Sequence, residues 1–180
     1  MGDPGSPTGV DLPNDGSVVV SDEQSEIDVD TDRWGRLAGA VLRAEGRHGE
    51  LTLTFVDRDE ITLLNVEHMG EQGPTDVLSF PLDAALDVEP SGGVRDAGPV
   101  LLGDVVICPS VAAAAAPAHA GNLDDELALL TVHGVLHVLG HDHHEPDQAE
   151  AMRRRELELL EAHHWRGPVP SGFVHVQGPA

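Results

Sequence analysis

His133-Gly134-Val135-Leu136-His137-Val138-Leu139-Gly140-His141-Asp142-His143 is the stretch from which the rest of the chain can be read. Upstream, Asn122 is followed by Asp124, Asp125 and Glu126, an N-cap and three anions suited to the positive end of a helix. The helix then runs through Leu127 and Leu130 to about Leu139, where Gly140 breaks it. His133 and His137 stand four residues apart, so their imidazoles share one helix face, one turn from each other. Gly140 can adopt a left-handed conformation, and the sharp turn this allows returns His143 to the same place. Three imidazoles fill three corners of a tetrahedral zinc site and leave the fourth open, as catalytic zinc sites do. One zinc ion held by His133, His137 and His143 is therefore expected.

The residue after the first histidine decides the reaction class. In zinc proteases with this spacing a glutamate stands there as general base. Here it is Gly134, which cannot take a proton, so a peptidase lacks its central residue. Of the remaining histidines, His144 is expected to point away from the ion, and His119, His163, His164 and His175 are read as surface residues. Asp76 and Asp104 are candidate carboxylates near the site, more simply read as turn and strand-end hydrogen-bonding groups. Asp142 either orients a ligand histidine through its second N–H or caps the turn.

Working outward, Val18-Val19-Val20 reads as a short strand, followed by a helix capped by Thr31 or Asp32 that ends near Glu45 at Gly46. Leu51 to Val56 alternates as a half-buried strand, Asp57 to His68 is helical, and Val77 to Phe80 is a strand ended by Pro81. Residues 83–99 have no periodicity and read as a loop. Leu101 to Cys108 is a further strand, and Pro109 opens an alanine-rich helix. A last helix runs from Pro146 to about Ala162. This order predicts an α/β (α+β) domain over residues 17–165, with an acidic disordered leader at 1–16 and a flexible Gly/Pro-rich tail at 166–180.

Charge narrows the partners. The 180 residues carry 10 basic groups, all arginine, against 32 acidic ones, for a net −22. Such a balance argues against a general nucleic-acid binder, so any polyanion must be met by a local patch or by the metal. Projected at about 100° per residue, the first helix places Trp34, Leu37, Ala38, Val41 and Leu42 on one side. Arg33, Arg36, Arg43 and Arg47 fall on the other, either a solvated face or a strip that tracks phosphates. Arg153, Arg154 and Arg155 form a second cluster, but consecutive helix residues splay around the axis. The single cysteine, Cys108, sits in an apolar run and is expected to be buried rather than reactive. No apolar run approaches a membrane span, and the N-terminus lacks a basic start followed by an apolar stretch. No membrane partner and a cytoplasmic address are the expectations.

Three stretches together resemble the YbeY family: the histidine stretch quoted above, Pro74-Thr75-Asp76-Val77-Leu78-Ser79-Phe80-Pro81, and Leu102-Gly103-Asp104-Val105-Val106-Ile107-Cys108-Pro109. All three stand in the family's order. The resemblance implies a small mixed β-sheet packed with about five helices, with a metal at a helix end. It implies a metal-dependent, single-strand-specific endoribonuclease of the bacterial cytoplasm. Its partners would be ribosomal RNA, above all the small-subunit 3′ end, and the small subunit or its assembly proteins, with a role in ribosome quality control. The family's three metal-binding histidines correspond to His133, His137 and His143. The family often carries an arginine shortly after a Leu-Asn pair; here Leu64-Asn65-Val66-Glu67-His68 leads to Met69 at that place. Two other functions compete with the ribonuclease: a zinc metalloprotease-like hydrolase, and a non-catalytic ribosome-assembly factor whose zinc is structural.

Overall fold

A computed structural model describes residues 17–82 and 100–175. The leader expected at 1–16 and the loop expected at 83–99 lie outside the described residues, as do residues 176–180. Four strands, β1 (Ser17–Asp22), β2 (Glu50–Phe55), β3 (Val77–Pro81) and β4 (Leu101–Ile107), form one sheet in the order β1-β2-β4-β3. β1 and β4 both pair with β2 in parallel, and β3 closes the edge antiparallel to β4. The sheet is mixed, as expected, and five α-helices pack on it: α1 (Thr31–Ala44), α2 (Arg58–Met69), α3 (Pro109–Ala115), α4 (Leu123–Val138) and α5 (Pro146–Leu160). Among the described residues no helix is long and apolar enough to cross a membrane.

Local chemistry sets these boundaries. Asp30, rather than Thr31 or Asp32, caps α1, its carboxylate accepting from the Arg33 N–H at 3.0 Å. Asp57 caps α2 in the same way, and Gly70 ends that helix at φ 68°. Leu51, Leu53 and Phe55 alternate along β2 into the main core, whereas β4, paired on both sides, is buried on both faces. Gly103 sits where β4 slips register against β2, at φ 150°; a Cβ there would lie 2.4 Å from the Phe80 carbonyl oxygen.

The core lies between the sheet and α1, α4 and α5, and α4 is its central member. Trp34, Leu37, Val41 and Leu42 of α1 meet Leu127, Leu136, Val138, Leu159 and Leu160 in one buried cluster. Burying each such side chain is worth about 1.5–3 kcal/mol. A smaller cluster, in which Ile61 and Leu64 of α2 meet Leu78 and Val106, lies apart from it. Cys108 is fully buried in this second cluster, as expected.

Residues 166–175, within the segment expected to be flexible, make defined contacts with the domain. A π-helical turn (Glu161–Trp165) continues α5, and Arg166 reverses the chain at φ 53°. Phe173 then packs edge-on against Trp165, with ring centroids 4.9 Å apart, and the Val174 N–H donates to the His119 carbonyl at 2.9 Å. Two isolated aromatic rings supply the contact that the Gly/Pro-rich composition conceals.

Candidate metal centre

α4 carries His133 and His137 to the edge of the core, where both remain partly exposed on a helix buried from Asp125 onward apart from these two. The helix ends in a paired-hydrogen-bond stop. Gly140 at φ 98° donates to the His137 carbonyl, and the His141 N–H donates to the Leu136 carbonyl, each at 3.0 Å. This turn brings His143 back to the helix end. The ring centroids of His133 and His137 lie 4.5 Å apart, those of His137 and His143 4.8 Å, and those of His133 and His143 5.7 Å. One nitrogen from each ring lies within 4.8 Å of the other two, and this is the group of metal-ligating side chains found among the described residues.

The donor chemistry suits a divalent ion of the zinc type. His133 donates its Nδ1 proton to Glu156 Oε1 at 2.5 Å, which leaves Nε2 as the lone-pair donor. His137 has its pKa pushed down to about 4, by burial first and then by the neighbouring His133 and His143, so it is a neutral donor at pH 7. Glu156 is fully buried on α5. Burial alone would raise its pKa, but hydrogen bonds from His133 and His175 outweigh this and hold it at about 2. The carboxylate therefore stays charged and acts as an acceptor only.

Two flanking histidines are turned elsewhere. His141 Nε2 lies 3.1 Å from Glu45, whose other oxygen accepts from Arg155 Nε at 2.6 Å, so this residue ties the turn to α1 and α5. His144 is exposed and lies beside Asp142. Asp142 caps the turn rather than orienting a ligand: its Oδ1 accepts from the backbone N–H of His143 at 2.7 Å and of His144 at 3.3 Å. Asp104 and Asp76 are half-buried, on β4 and just before β3. The Asp76 carbonyl accepts from the Cys108 N–H at 2.9 Å, so the backbone before β3 is tied to the end of β4.

Gly134 has a packing reason as well as a chemical consequence. A Cβ there would lie 2.5 Å from Val105 Cγ1 and 3.4 Å from Ser79 Oγ, so the glycine lets α4 rest on the sheet without displacing Val105. The Ser79 hydroxyl also donates to the Gly134 carbonyl at 3.1 Å. A glutamate at this position would be driven into β4 rather than toward the three imidazoles.

Two histidines expected at the surface have side chains that are largely covered. His164 lies 2.7 Å from Asp125, which also accepts from Trp165 Nε1, and this group locks the end of α5 to the start of α4. His175 Nε2 lies 2.6 Å from Glu156 Oε2. Neither pairing shows in sequence, because each partner is distant along the chain. Glu156 itself escaped notice, although it shares an apolar stripe with Met152, Leu159 and Leu160 and is the lone acid there.

The arginine stripe on α1 is only partly open. Arg33 pairs with Asp124 at 3.0 Å and lies over the Trp34 ring at 4.6 Å, while Arg36 and Arg43 are exposed. Of the second cluster, Arg155 is engaged with Glu45 and Glu158, and Arg154 lies 3.7 Å from Glu150. Met69, at the end of α2, is exposed.

A family model described as Endoribonuclease YbeY matches residues 19–164. Proteins of that name from several bacteria are similar over most of the chain. The Thermobifida fusca protein is 43% identical over 152 residues, covering 83% of this chain and 94% of its own. The Salinispora tropica protein is 44% identical over 154 residues, covering 83% and 96%. The Frankia casuarinae protein is 44% identical over 153 residues, covering 84% and 75%. Among solved structures, the solution structure of a Thermotoga maritima protein shares the fold with a TM-score of 0.52 at 23% identity, covering 83% of this chain and 91% of that one.

Proposed function

Since the chain belongs to the YbeY endoribonuclease family, we propose that it is a zinc-dependent endoribonuclease that cuts single-stranded RNA in maturing ribosomal RNA. Family membership and the three-histidine cluster together support a metal-using hydrolase with a role in RNA processing. The finer assignments are ours: zinc as the metal, single strands as the substrate, the small-subunit 3′ end as the target, and work on the ribosome in the cytoplasm.

The observation that carries the reading is the convergence of His133, His137 and His143 at the end of α4, partly open to solvent. These three would hold the ion through neutral nitrogens. When bound, zinc supplies Lewis-acid polarisation of a phosphodiester and a nucleophile at neutral pH. The chain's own residues do the positioning. Glu156 fixes the tautomer and ring angle of His133, the Gly140 turn presents His143, and Asp142 holds the backbone of that turn. Gly134 denies the site a protease's base and sets α4 against β4.

The test is cleavage of a short labelled RNA, single-stranded or annealed to its complement, with and without chelator. Cutting of the single strand alone, abolished by chelator and restored by zinc, is the expected result. Digestion of casein with RNA left intact would return the metalloprotease reading. Binding of zinc with neither activity would favour an assembly factor.

A further inference from the structure

We propose that residues 166–175 act as a clasp, in which His175 positions the metal ligand His133 through Glu156. The inference rests on the reading of His133, His137 and His143 as a zinc site. It concerns a part of the chain beyond residue 164, where the family match ends.

Three residues in a line carry it. His133 Nδ1 donates to one oxygen of Glu156, and His175 Nε2 donates to the other at 2.6 Å. Glu156 is fully buried, and these two rings are its side-chain partners among the described residues. A carboxylate held at one oxygen can swing about its last bonds; held at both, its plane is fixed. Fixing that plane fixes the direction in which the His133 ring must lie to reach it, and so the aim of the opposite nitrogen.

The tail is built to deliver the ring. Phe173 seats against Trp165, and the Val174 N–H is held by the His119 carbonyl, so the residue that follows is placed over α5. Phe173 and His175 also lie close, with ring centroids 5.9 Å apart. The other ring nitrogen of His175, Nδ1, is buried with no hydrogen-bond partner among the described residues. The hydrogen bond of the His175 ring in the described structure is therefore the one to Glu156 Oε2. Glu156 is what its position serves.

His175 is therefore a positioning residue, and the measurement that isolates it is zinc retention. The full chain is loaded with zinc, and transfer of the metal to a chromophoric chelator is followed for wild type, His175→Leu and His175→Gln. The leucine keeps bulk and removes the donor; the glutamine keeps a donor. Cobalt-loaded samples are compared by visible absorption. Outer partners of metal-bound histidines typically contribute about 10- to 100-fold in affinity. A loss of about 10-fold is expected for the leucine variant, with altered cobalt bands, and most of both should return with glutamine. Should the leucine variant not fold, His175→Ala makes the same comparison. A variant with a lower melting temperature but wild-type zinc affinity and cobalt spectrum would show that the tail only packs, and would overturn the inference alone. A wild-type chain that takes up no zinc would overturn the metal reading and the inference together.

Discussion

Gly134→Ala isolates the physical reason for a glycine between two metal-binding turns. The added Cβ would stand 2.5 Å from Val105 Cγ1 and 3.3 Å from Cγ2. Val105 is fully buried on β4, a strand paired on both sides, so it has little room to retreat. Overpacking of a tight core costs about 1–3 kcal/mol, and this contact belongs at the upper end. Against it, alanine gains about 1 kcal/mol of helix propensity over glycine. The net expectation is a loss of about 2 kcal/mol, read from urea denaturation of chelator-treated protein with an unchanged slope. In a Val105→Ala background the clash disappears and only the helix gain remains. There the same substitution should stabilise by up to about 1 kcal/mol, giving a coupling of about 3 kcal/mol between the two sites. A Gly134→Ala chain at least as stable as wild type, or the same effect in both backgrounds, would refute the packing argument.

Acid should lower the stability of the metal-free chain over two overlapping pH ranges. His137 sits at about 4, below its ordinary 6.5, so the unfolded chain binds more protons between those values and stability falls as pH drops from 6.5 to 4. Glu156, at about 2, contributes stability that is complete above 4.5 and lost on descent toward 2. Each has a ceiling of about 3 kcal/mol, and a urea midpoint that stays flat from pH 7 to pH 4 would contradict the His137 step. Reversing the exposed Arg36 and Arg43 to glutamate should weaken binding of a short single-stranded RNA and flatten its salt dependence without changing metal content; unchanged affinity and slope would make the stripe a solvated helix face. Deleting residues 1–16 should leave melting temperature and metal content intact, and a large fall in either would show that the leader packs on the domain.

The parts of the fold that were legible in sequence are those governed by local spacing. α4 and its histidines follow from a four-residue interval, a capping asparagine and a terminal glycine, and the structure brings the three rings together as the spacing requires. The alternation of Leu51 to Val56 and the apolar run of Leu101 to Cys108 likewise marked β2 and β4 as strands, whereas the mixed sheet was implied by the resemblance to the family. Long-range pairing was not legible. The order β1-β2-β4-β3 depends on which faces meet, and nothing local to β3 says that it lies beside β4 rather than β2. Glu156 illustrates the limit: an acid among Met152, Leu159 and Leu160 signals a buried partner, but not that the partner is His133. His175 was hidden further, because Gly and Pro around it read as a loose tail while Phe173 supplies the anchor.

The central claim is that His133, His137 and His143 hold one catalytic metal ion. It is tested most directly by metal content of the purified chain and of His133→Ala, His137→Ala, His143→Ala and His144→Ala. Wild type and the His144 variant should carry about one zinc per chain, as a three-histidine site requires, and each of the other three should carry little. Full metal content in any one of those three, or loss of metal in the His144 variant alone, would contradict the assignment.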